Sequence, residues 1–228
     1  LITYELYYFG GYQEYLIFST LVIASRYINL INLSKIHDLR LIFLILLILY
    51  INIWFKNEGL VYFLIFSSFL IFFLRISLIK KILFYSFIFL LLIVQYLIKE
   101  YFIGLYQYFH SGGFSSYFIY SFASLEILFT KIIKIFYHIV IGFVKHPLWL
   151  IIIISVGIQK FFFKDISREN RYFFSCILIN LFFIIFVFIS QENFDFMLKV
   201  TLDRLLFQTS GFYLILFLIV FNKIKLRL

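Results

Sequence analysis

The sequence predicts an all-α, polytopic integral membrane protein. We expect one transmembrane domain over residues 1–228, with about seven transmembrane helices and an outward-facing interfacial amphipathic helix. Three observations predict it. The chain is 64% hydrophobic with a mean hydropathy of +1.06, and only 14% of it is charged, against about 25% in soluble domains. Its apolar residues fall in runs separated by short charged turns. Its basic residues collect in alternate turns, as positive-inside topology requires.

In chain order, Leu1–Gly11 is an aromatic, weakly polar entry. Tyr12-Gln13-Glu14 opens the first span, Tyr15–Leu33, which carries Arg26. Ser34–Arg40 is a charged loop. Two short spans follow, Leu41–Trp54 and Gly59–Leu74, joined by the turn that holds Lys56, Asn57 and Glu58. Charges are costly in hydrocarbon, so this turn belongs at an interface or in a wet cavity. Arg75–Lys81 leads into the fourth span, Ile82–Ile98. In the long segment that follows, Gly112-Gly113 is a hinge. Lys131, Lys134, His138 and Lys145 then share one helical face with Phe, Ile and Leu opposite, the pattern of a helix lying on the interface. Pro147 starts the fifth span, running to Ile158, and Tyr172–Ser190 is the sixth. Gln191–Gln208 is polar, then amphipathic, and Thr209–Phe221 is the seventh span.

Alternating loops place twelve basic and three acidic residues on one side. Seven basic and eight acidic residues fall on the other. The basic side is expected to be cytoplasmic, with the N-terminus of the segment and the 56–58 turn outside and the C-terminus inside. The net charge of +9 is thus a membrane signature, and no basic stripe points to nucleic acid. A single cysteine, Cys176, excludes an intrachain disulfide and a thiolate metal cluster. The four histidines are dispersed, and neither a metal nor another cofactor is expected.

Three short motifs carry a resemblance. Gly11-Tyr12-Gln13-Glu14, Phe55-Lys56-Asn57-Glu58-Gly59-Leu60 and Leu198-Lys199-Val200-Thr201-Leu202-Asp203-Arg204-Leu205-Leu206 occur in that order. They resemble the G-Y-A-D, T-K-N-E-G-L and T-S-L-D-R-L-L stretches of bacterial polytopic GT-C glycosyltransferases, the class of protein O-mannosyltransferases and aminoarabinose transferases. Glu14 stands where that family has Asp, and Tyr15-Leu16 replaces its Leu-Pro. The resemblance implies an enzyme of the bacterial inner membrane that moves a sugar from a polyprenyl-phosphate donor to an acceptor at the outer face. It implies that these residues are the C-terminal portion of a longer chain whose catalytic carboxylate precedes Leu1. The partners it implies are membrane lipid and the lipid-linked donor.

Glu14, Lys56, Asn57, Glu58, Asp203 and Arg204 are therefore the candidate donor-phosphate and cavity residues, with Lys56 and Arg204 the cations that would meet developing phosphate charge. Each has a plainer reading: a wet helix cap for Glu14, a solvated turn for 56–58, a local interfacial ion pair for Asp203-Arg204. Two other classes fit the composition. One is a structural subunit of an organellar respiratory or ATP synthase complex, held among other membrane subunits. The other is a transporter or flippase fragment.

Overall fold

The computed structural model describes residues 12–31, 38–98, 125–162, 168–189 and 194–225. Every regular element among them is an α-helix, as expected of a chain whose backbone must satisfy its own hydrogen bonds in lipid. The expectations for Leu1–Gly11, most of the Ser34–Arg40 loop and the Gly112-Gly113 hinge fall outside the described residues.

Among the described residues eight helices follow in order: α1 Tyr12–Leu30, α2 Leu39–Phe55, α3 Asn57–Phe73, α4 Leu78–Leu97, α5 Leu125–Lys145, α6 Pro147–Phe162, α7 Arg168–Ile189 and α8 Phe194–Lys225. Three of them contain a stretch long and apolar enough to cross a membrane: Leu78–Leu97, Leu125–Lys145 and Arg171–Ile189. The helices Leu39–Phe55 and Glu58–Phe73 are apolar but shorter.

The expected boundary between a polar stretch ending at Gln208 and a span starting at Thr209 is not a break in the chain. Both belong to α8, a continuous helix of 32 residues and so about 48 Å long, against roughly 30 Å of hydrocarbon in a bilayer. It is the axis of the fold. On one side α1 runs parallel to it: Phe18 stacks on Phe207 at 5.0 Å, and Gly211 lies where any Cβ would come 2.5 Å from Phe18 and Val22. On another side lies α3, where Tyr62 donates to Gln208 at 2.7 Å and Phe66 packs on Phe212 at 4.1 Å. α7 runs antiparallel to it, with Asn180 beside Thr209 and Tyr213 donating to the Cys176 carbonyl. Trp149 of α6 donates to the Leu206 carbonyl at 2.8 Å.

These contacts explain why the centre of the molecule is aromatic yet polar at intervals. Lipid gives helices no hydrophobic reason to associate, so close packing and interhelical hydrogen bonds must hold them. Gln208, Thr209 and Ser210 are buried accordingly in the middle of α8.

Outward faces are apolar. Phe89 on α4 and Phe129, Ile133, Tyr137 and Val144 on α5 are all exposed. On α5, where an amphipathic interfacial helix was expected, one side packs on the protein while Lys134 and Lys145 stay exposed. Ile135, Ile139 and Gly142 are buried on that side, Lys131 donates to the Ile189 carbonyl at 3.1 Å, and Lys134 pairs with Asp195 at 3.1 Å.

Candidate functional site

The α2–α3 hairpin creates the first half of the site. Asp38 caps α2 by accepting from the Arg40 amide at 2.9 Å, and α2 then runs to Phe55. Lys56 is extended and serves as the last cap of one helix and the first of the next. The Gly59 amide donates to its carbonyl at 3.0 Å. Gly59 itself is demanded by packing: a Cβ there would lie 1.9 Å from the Asn52 carbonyl oxygen. Only a hydrogen fits between the two helices, and the hairpin that presents Lys56 depends on it.

Glu14 arrives in the first turn of α1, where the helix dipole favours a carboxylate. Arg204 arrives from α8. The Lys56 ammonium donates to Glu14 Oε1 at 2.7 Å. The Arg204 Nε donates to the same oxygen at 2.9 Å, and its Nη2 does so as well. Glu58 stands 3.6 Å from the Lys56 ammonium. Glu14 is 1% exposed, whereas the Lys56, Glu58 and Arg204 side chains keep 21%, 24% and 27% exposure. A sealed carboxylate thus gathers two cations whose other sides meet solvent. Burial pushes the Glu14 carboxyl up, but hydrogen bonds from Lys56 and Arg204 outweigh it and hold the carboxyl below its usual range. The two cations and two carboxylates sum to zero charge.

Asp203 does not join this cluster. Successive helical residues point about 100° apart, so Arg204 facing α1 sends Asp203 toward α5 and α6. There its Oδ1 lies 3.6 Å from Nε2 of the buried His146, at the joint between those helices. The neighbouring His146 imidazole lowers the Asp203 carboxyl against the opposing effect of burial, helped by Lys145 and His138. Asn57 opens α3 through its backbone.

Of the residues singled out from sequence, Glu14, Lys56, Glu58 and Arg204 therefore meet, although Glu14 and Arg204 are 190 positions apart. His146 was missed because its partner is 57 residues away and no i, i+4 spacing announces it. Thr20 and Asn52, which hydrogen-bond between α1 and α2 below the cluster, were also missed. Their only signal is a polar residue inside an apolar run.

No protein-family model, curated protein or solved structure matches the chain.

Proposed function

We propose that the chain is the membrane-embedded part of a glycosyltransferase that moves a sugar from a polyprenyl-phosphate-linked donor to an acceptor at the outer membrane face. One observation carries the reading: residues from three separate motifs, 190 positions apart at the extremes, converge in a single cluster. In this reading Glu14 is a positioning residue. It holds Lys56 and Arg204 together, and their solvent-facing sides meet the donor phosphate as charge develops on it. The donor's isoprenoid tail lies against apolar helix faces. A groove of about 430 Å³ between Ile65 of α3 and Phe182, Phe183, Phe186 and Ile189 of α7 has the right character for such a tail. The proposal includes seven spans in a bacterial inner membrane, with the 56–58 turn outside, the C-terminus inside and α5 along the outer interface.

The neutral charge of the cluster favours a second reading. In a structural subunit packed among other membrane proteins, the same four residues would only fasten α1, the hairpin and α8 together.

The test is saturable binding of a radiolabelled polyprenyl-phosphate sugar to the protein in phosphatidylcholine nanodiscs. The enzyme reading expects binding above that of empty discs, weakened about tenfold by Lys56→Ala or Arg204→Ala while helicity is kept. Binding no greater than to empty discs would leave the structural reading standing.

A further inference from the structure

At the far end of α3 from Lys56, the chain builds a second charged site that the proposed transferase chemistry does not use. A cavity of about 570 Å³ is lined by Phe72, Phe73, Leu74, Arg75, Ile76, Lys81 and Arg171. Its size lies within the range of ligand pockets, roughly 300–1,000 Å³. Among the seven described lining residues three are cations and none is a carboxylate, so they carry three positive charges.

The cations come from three places in the fold. Arg75 lies in the connection after α3, Lys81 in the first turns of α4, and Arg171 near the start of α7. Lys81 is held in place: its ammonium donates to the Phe72 carbonyl at 2.8 Å and sits 5.6 Å from the centre of the Phe72 ring. Arg75 and Arg171 are exposed. No described carboxylate pairs with any of the three. Between the lining residues Ile76 and Lys81, helix α4 starts at Leu78 after the N-cap Ser77, whose side chain makes no cap hydrogen bond. The first amides of a 20-residue helix therefore add their positive end beside the cavity.

We infer that this cavity binds a phosphate group, held by the Arg75 and Arg171 guanidiniums with Lys81 as a fixed third charge. Two guanidiniums suit the planar, bidentate recognition of phosphate oxygens. The apolar floor of Phe72, Phe73, Leu74 and Ile76 accepts the carbon next to that phosphate. General attraction of basic loops to an anionic leaflet needs no cavity and would use Lys80, which is exposed one residue away but does not line it.

The phosphate has two possible sources, an anionic lipid headgroup or a soluble phosphate, and one experiment separates them. The protein in neutral detergent is titrated with short-chain phosphatidylglycerol, with inorganic phosphate, and with phosphatidylcholine as a blank. Bound ligand is counted by native mass spectrometry, with thermal stabilisation as a second readout. Binding of phosphatidylglycerol alone identifies a headgroup site, and binding of inorganic phosphate identifies a soluble-phosphate site. In either case Arg75→Gln and Arg171→Gln weaken binding about tenfold, and Lys80→Gln changes it less than about twofold. Arg75 and Arg171 make no described contact that folding needs, so these variants remain folded. Binding of neither ligand, or an equal loss in Lys80→Gln, overturns the inference.

Discussion

Replacing Glu14 by alanine removes the one carboxylate oxygen that both Lys56 and Arg204 address. Three segments lose their shared fastening: the start of α1, the α2–α3 turn and the middle of α8. Breaking a fully buried pair by deleting one partner costs about 3–5 kcal/mol, because the remaining charge is stranded. Here the stranded cations keep 21% and 27% exposure and rehydrate in part, so the expected loss is about 2–3 kcal/mol. At ~2–4 °C per kcal/mol for a chain of this size, the melting temperature falls by about 4–12 °C. The assay is thermal unfolding followed by circular dichroism in nanodiscs, at fixed lipid and scan rate. Glu58→Ala is the control. Glu58 is 24% exposed with a single 3.6 Å ionic contact, worth about 0–1 kcal/mol. Adding Lys56→Ala to Glu14→Ala recovers part of the loss, because one stranded cation is then gone. If Glu14→Ala melts within error of Glu58→Ala, the cluster does not hold these helices and the reasoning fails.

The acid limb of stability tests the same carboxylate. The folded Glu14 carboxyl is lowered from its ordinary 4.5, so its stabilising contribution is complete above that pH and is lost as pH falls through the lower folded value. Asp203, lowered from 3.8, acts in the same direction. Melting temperature is therefore insensitive to Glu14 from pH 7 to about 5 and declines below; Glu14→Gln flattens that decline, and an unchanged acid limb counts against the ion pair. Gly59→Ala forces a methyl onto the Asn52 carbonyl and costs about 3 kcal/mol or more, whereas Gly157→Ala, with nothing within 4 Å of the new carbon, leaves the melting temperature within about 2 °C. Of the two tryptophans, Trp149 is 1% exposed and Trp54 is 38% exposed; Trp54→Phe should leave a fluorescence signal that acrylamide hardly quenches, and strong quenching would show that α6 does not pack on α8. Cys176 is buried, so a polar maleimide labels it only after denaturation.

Much of the helical layout was legible in the chain. The apolar runs announced α2, α3, α4 and α7 to within a few residues, because a backbone without water must bond within its own helix. What the lysines of α5 meet was not legible. A lysine face at 3.6 spacing looks the same whether it points to water or to a carbonyl such as that of Ile189. Likewise the start of α8 read as a polar, then amphipathic stretch ahead of a span, since composition does not reveal that Asp195 and Asp203 are met by Lys134 and His146 from α5 and its end.

The sequence by itself determined that the chain is helical and apolar enough for a membrane, with little charge and much Phe, Ile and Leu. Only the tertiary structure decided the company each charge keeps. It took Arg204 across to Glu14 and turned the adjacent Asp203 away to His146. The reason is geometric: neighbours on a helix point about 100° apart, and their partners are chosen by which helices pack on each face. That packing is settled by contacts such as Gly211 against Phe18, which no local stretch of sequence contains.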